Sequence, residues 1–234
     1  MLSTGGPGPL VRTVGVEREF VSPAETVRAV GGVDFEADSG EFVCLFGHSG
    51  SGKTTMLNLL AGLDLPTSGR VVVAGHDLTQ ISVEGRIRLR RDEVGMVHQS
   101  HQLISEFTAA ENVALPIEAR GTNTVEALDE AERLLESVGL SGYGGRYPDE
   151  LSGGQQQRVG IARALSGGRK ILLADEPTGS LDSRNAGAIF DLLAVMSSKG
   201  ILVVVASHDP ACRERASRSI EMLDGVVRDV ASRA

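Results

Sequence analysis

The stretch Gly47–Thr55, GHSGSGKTT, restricts the fold of this chain more than any other. It matches G-x-x-x-x-G-K-[ST] in full, with an apolar run, FVCLF, before it and a helical pattern at 53–62 after it. A buried strand, a glycine turn and a helix in that order open an α/β unit whose strand lies inside a sheet. Gly47, Gly50 and Gly52 let the backbone turn tightly and approach an anion without Cβ clashes. The amides along His48, Ser49 and Ser51 then point inward, at a helix N-terminus whose partial positive charge favours phosphate. Lys53 is placed to reach β- and γ-phosphates, Thr54 to hold Mg²⁺, and Thr55 to donate to a phosphate oxygen. His48 fills a variable slot and reads as a tolerated loop residue rather than a catalyst.

Around this loop, short apolar runs alternate with helical ones. RVVVAG (70–75) and VGMVH (94–98) read as strands, with a charged helical stretch at 82–92 between them. From about 103 to 166 the pattern is mostly helical, and Val125, Leu128, Ala131, Leu134, Leu135 and Val138 form one apolar face. Strands return with KILLAD, ILVVVAS, SIEML and VVRDV, the last two around the turn Asp224-Gly225. The expectation is one α/β domain over 11–234 with a mainly parallel sheet, a helical block inserted at about 100–166, and a flexible lead over 1–10.

The totals exclude several classes. A net charge of −8 argues against a general nucleic-acid binder and against a polybasic membrane anchor. Two cysteines, Cys44 and Cys212, give no disulfide framework and fit a reduced, cytosolic setting, with Cys44 a small core residue. MLSTGGPGPL lacks the features of a signal peptide. ILVVVA is far shorter than the about 20 residues that span a bilayer, so a membrane role needs a partner.

A second group of residues belongs at the same sheet edge. In KILLADEPTGSLD an apolar strand runs into Asp175 and Glu176, which places an acid beside the glycine loop. Asp175 is expected to bind Mg²⁺ mostly through water. Glu176 is positioned either as general base on an attacking water or as a cap on the next element. His208 ends another apolar strand at that edge, where it can contact a γ-phosphate. Gln99, after VGMVH, can ligate Mg²⁺ or orient water, and by spacing alone also reads as a plain loop glutamine. LSGGQQQR at 151–158 is a second glycine turn opening onto a helix.

A phosphate loop, then LSGGQ, then LLADEPTGSLD resembles the ATP-binding cassette family over about 15–230. The resemblance implies a core sheet flanked by an N-terminal antiparallel β subdomain and the helical insertion. It implies ATP and Mg²⁺ as ligands and head-to-tail pairing with a second copy, each ATP lying between one copy's Lys53 loop and the other's Ser152, Gly153, Gly154 and Gln155. By position, Gln99 matches the Q-loop, Ser180, Leu181 and Asp182 the D-loop, His208 the switch histidine, and Phe20 the aromatic that stacks on adenine. Glu176 is then the base. FTAAENVALP and LADEPTGSLDS look most like the lipoprotein-release and macrolide-export branch. That branch implies an integral-membrane permease partner and a place on the cytoplasmic face of the inner membrane. The rival, a soluble cassette of DNA repair or translation, would carry a long coiled coil, zinc modules or a second cassette, none of which is in this sequence.

Overall fold

The computed structural model describes residues 8–232. The elements, in chain order, begin with β1 (Val11–Val21), β2 (Thr26–Ala37), β3 (Phe42–Phe46), α1 (Lys53–Leu60), β4 (Ser68–Val73), β5 (His76–Asp77), α2 (Val83–Asp92) and β6 (Val94–Val97). Three helices follow, α3 (Ala109–Glu118), α4 (Thr124–Ser137) and α5 (Gly153–Leu165). The chain then forms β7 (Ile171–Asp175), α6 (Ser183–Ser198), β8 (Leu202–Ser207), α7 (Pro210–Arg215), β9 (Arg218–Leu223) and β10 (Val226–Ser232). Most of the lead expected at 1–10 lies outside the described residues; Leu10 is within them, and its carbonyl accepts from Ala74 N at 2.8 Å.

Two sheets result. One is antiparallel, in the order β2-β1-β4-β5. The other runs β10-β9-β3-β8-β7-β6, parallel throughout except for the β9–β10 hairpin. Strands β3, β7 and β8 are near-continuous apolar runs because both faces of this sheet are covered. Successive side chains feed opposite cores. Phe42, Cys44, Leu172, Val203 and Val205 pack with α3 to α7. Val43, Leu45, Leu173, Val204 and Ala206 pack with α1, α2 and the antiparallel sheet.

The helical block differs from the expected pattern at one end. Helix α4 buries Ala127, Ala131 and Leu135, with Val138 just beyond it, while Val125 is 70% exposed. Asn123 accepts from Glu126 N and starts the helix, so Val125 falls in its first turn, off the i, i+4, i+8 stripe that meets the core. Leu128 and Leu134 flank the stripe, partly buried.

Edge strand β6 meets α5 almost backbone to backbone. A Cβ on Gly95 would sit 1.9 Å from the carbonyl oxygen of Ala164. Gly95→Ala forces strand and helix apart, and overpacking of this kind costs roughly 1–3 kcal/mol or more. Thermal unfolding is expected to show a drop in Tm of about 3–10 °C; an unchanged Tm would mean that α5 is not held at this distance.

Candidate active site at the carboxyl edge of the parallel strands

The register brings four strand ends to one edge. Phe46 pairs with Ser207, Asp175 with Ala206, and Val97 with Ala174. The loops that leave these ends carry Gly47–Gly52, His208, Glu176 and Gln99. They border a cavity of about 490 Å³ whose lining includes Ser49, Gly50, Gly52, Lys53, Thr54 and Thr55 from the glycine loop, and Gln99, Asp175 and Glu176 opposite. This is the crevice in which open parallel sheets bind ligands.

The glycine loop is shaped by close backbone approach. Gly52 has φ +98°, and a Cβ there would lie 2.1 Å from the Ala29 carbonyl oxygen. A Cβ on Gly47 would lie 2.4 Å from the Met222 carbonyl oxygen. The loop is thus pressed between β2 and β9 and fits a bound phosphate through its amides, at the N-terminus of α1. Ser51 is fully buried, and its Oγ has no hydrogen-bond partner among the described residues. Lys53 is 5% exposed and donates from Nζ to the carbonyl oxygens of Gly47, at 2.7 Å, and His48, at 2.9 Å. His48 turns its ring onto its neighbour's backbone, with Nδ1 2.7 Å from the Ser49 carbonyl oxygen.

Three carboxyl-edge groups form a chain of contacts. Glu176 Oε1 lies 3.7 Å from Lys53 Nζ and 3.0 Å from His208 Nδ1. Glu176 leaves β7 with φ +44°, a left-handed conformation costly for a side-chain-bearing residue, while its amide donates to Ala206 O at 2.9 Å. Next to it, Thr54 Oγ1 donates to Asp175 Oδ1 at 3.0 Å. A hydroxyl and a carboxylate that meet beside phosphate amides suit Mg²⁺, which takes few protein ligands and keeps waters and phosphate oxygens. Gln99 lies against Gly179, where a Cβ would be 2.6 Å from its Nε2.

Burial pushes the Asp175 carboxyl above the ordinary carboxylate range, and the neighbouring Glu176 adds to this against the opposing pull of Thr54, His98 and Lys53. Burial also lowers His98, against the attraction of Asp175. A carboxyl raised by folding costs stability once ionised. The penalty is complete above the folded value and is relieved as pH falls towards the unfolded one. Asp175→Asn is therefore expected to raise Tm at pH 7, by a margin that disappears as the pH is lowered into the ordinary carboxylate range. A melt showing no gain at pH 7 would contradict the sign.

The residues of the second glycine turn, LSGGQ, stand apart from this cavity. Ser152 caps α5, with Oγ accepting from Gln155 N at 3.4 Å and Gln155 Oε1 accepting from Ser152 N at 2.8 Å. The side chain of Gln155, expected at nucleotide, thus closes a capping box. Asp182 caps α6, accepting from Asn185 N at 2.8 Å and Asn185 Nδ2 at 2.9 Å. Gly153 and Gly154 pack beside these two segments, against Leu181 and Asn185. None of Ser152, Gly153, Gly154, Gln155 and Asp182 lines the cavity. Phe20 is 44% exposed on β1, in register with Val27, which does line it. Sequence reasoning missed Val27, Arg28, Ala29 and Asp224 as lining residues. The Asp224-Gly225 turn was legible, but its contact with the glycine loop, Gly225 N to Ser51 O at 3.0 Å, leaves no local signal.

Known proteins are similar to this chain. A family described as ABC transporter matches residues 30–179. The lipoprotein-releasing system ATP-binding protein LolD of a Shewanella species is 39% identical over 96% of this chain and 98% of its own length. The macrolide export ATP-binding/permease protein MacB of Bradyrhizobium diazoefficiens is 42% identical over 94% of this chain, which spans only 34% of that protein. Among solved structures, a dimeric ATP-binding cassette in a post-hydrolysis state, bound to ADP and Pi, superposes with a TM-score of 0.86 at 36% identity, over 95% of this chain and 98% of that one. A family model that covers residues 30–179 and a relative 39% identical over nearly its whole length show that the chain belongs to the ABC transporter family.

Proposed function

We propose that this chain is an ATP-binding and ATP-hydrolysing subunit that pairs head to tail with a second copy around two ATP and drives a conformational change in a membrane permease. The observation that carries this reading is a division of the site. Lys53, Thr54, Asp175 and Glu176 line one cavity, with His208 in contact with Glu176, while the N-terminus of α5 opens elsewhere on the same chain. A second copy in antiparallel orientation supplies that missing wall to each cavity.

In this reading the glycine-loop amides and Lys53 hold the β- and γ-phosphates, exchanging the lysine's two carbonyl contacts for phosphate oxygens. Thr54 and Asp175 hold Mg²⁺, with Gln99 beside them. The ion supplies charge neutralisation on the phosphate oxygens. Glu176 accepts a hydrogen bond from the water that attacks the γ-phosphorus in line, and His208, held to Glu176, contacts the γ-phosphate. Phe20 stacks on adenine. Ser152, Gly153 and Gly154 of the second copy complete the phosphate shell, with Gln155 and Asp182 shaping the loops that carry them. Loss of the γ-phosphate removes the contact that favours the closed pair, which then opens.

Among the described residues no helix is long and apolar enough to cross a membrane. The proposed place of work is the cytoplasmic face of the inner membrane, reached through the permease. The names of the LolD and MacB relatives support lipoprotein release or export as the task, with force transmission across the membrane as a further form it can take. Phosphate release from MgATP by the purified chain tests the reading. Specific activity is expected to rise with chain concentration, because each site needs two copies. Turnover independent of concentration would sink the shared site, and ATP that stays intact at every concentration would sink the enzyme.

A further inference from the structure

The base end of the proposed nucleotide site has a support that the family motifs do not include. Arg18 and Phe20 lie two residues apart on β1, and the guanidinium carbon of Arg18 stands 4.4 Å from the centre of the Phe20 ring. Arg18 is itself held. Its Nε donates to Asp64 Oδ2 at 2.7 Å, and both side chains are about three-quarters buried, at 25% and 27% exposure. Asp64 is fixed in turn, its other oxygen accepting from Leu65 N at 2.8 Å and its amide donating to Asn58 O at 3.2 Å. Asn58 lies in the last turn of α1, the helix whose N-terminus carries Lys53 and Thr54. Val27, directly across from Phe20 in the β1–β2 register, lines the cavity, and paired residues stand on one face of a sheet.

We propose that Arg18, anchored by Asp64, is a positioning residue for the nucleotide base: it backs one face of Phe20 and sets that ring against an incoming purine. The inference rests on the ATP-binding reading of Phe20 given above. An aromatic ring 44% exposed on a strand has room to rotate. A cation over one face is attracted by the ring's negative quadrupole and restricts it. The other face is then presented in one orientation, which lowers the ordering cost of stacking. Because Asp64 hangs from the end of α1, one helix fixes the phosphate loop at its start and the base platform beyond its finish.

The test compares MgATP with ribose 5′-triphosphate, which carries the phosphates and sugar but no base. Wild-type turnover of MgATP is the control for the underlying reading, and its absence would overturn that reading rather than this one. Arg18→Met keeps the side-chain stem and removes the charge. It is expected to raise KM for MgATP roughly threefold to tenfold, with kcat within about twofold and KM for the baseless triphosphate unchanged. Arg18→Lys restores a cation and is expected to recover most of the affinity, while Asp64→Asn gives a smaller rise with the same dependence on the base. Equal changes for the two substrates would show a structural role in β1 and overturn the proposal. An unchanged KM for MgATP in Arg18→Met would overturn it as well.

Discussion

Glu176→Gln will hold ATP and fail to hydrolyse it. The amide keeps the size of the side chain and an oxygen that can accept, but it loses the negative charge now lying 3.7 Å from Lys53 Nζ and 3.0 Å from His208 Nδ1. Losing a positioned base slows turnover by about 10²- to 10⁴-fold. Binding is expected to persist, since in the proposed site the phosphates meet the glycine loop and Lys53 rather than this carboxylate. Light scattering at high protein concentration should show the variant as a monomer alone or with MgADP, and as a dimer with MgATP. A variant that binds ATP and stays monomeric would mean that a membrane subunit, or a different cassette, brings the halves together. Turnover near the wild-type rate would remove Glu176 from the chemistry.

Lys53→Ala acts one step earlier. Lys53 is almost completely buried, and its ammonium is the cation that the glycine loop presents to the cavity. Its hydrogen bonds to Gly47 O and His48 O also tie the loop's first half to the start of α1. The truncation removes both the charge and the tie. Turnover is expected to fall by about 10²- to 10³-fold, the scale seen when one preorganised donor to a charged transition state is lost. Titration with a fluorescent nucleotide should show weakened binding, and MgATP should produce no dimer, in contrast to Glu176→Gln. A Lys53→Ala chain with wild-type turnover would contradict the role given to the loop.

Much of the sheet was legible because its strands are buried on both faces and announce themselves as unbroken apolar runs. FVCLF was expected as a strand and is β3, KILLAD holds β7, and ILVVVAS holds β8. The edge at which they end follows from parallel pairing, so Asp175, Glu176 and His208 were expected beside the glycine loop, where the register places them. What was not legible came from pairings distant in sequence. Val27, Arg28 and Ala29 reach the cavity because β2 folds over the loop, and Asp224 because the distant β9–β10 hairpin hydrogen-bonds through Gly225 to Ser51 and Gly31. Val125 fits a helical period as well as its neighbours do, and only the start of α4 at Asn123 decides that it faces water. Gln155 and Asp182 show a different limit. A motif gives their position, whereas the fold engages their side chains as helix caps.

The strand order β10-β9-β3-β8-β7-β6 also fixes when the site comes into being as the chain is made. β3 ends at Phe46, yet its two neighbours are β8, which begins at Leu202, and β9, which begins at Arg218. The strand that leads into the glycine loop therefore leaves the ribosome long before either neighbour exists. Until β8 and β9 are made its five residues, FVCLF, are an unpaired apolar segment of the kind that associates with other chains. Nucleotide cannot rescue this interval, because Asp175 and His208 are also supplied late. A ribosome halted before residue 202 is thus expected to carry a chain that exposes β3 and has no nucleotide site, and the nascent protein depends on whatever shields that strand until β8 and β9 have been translated.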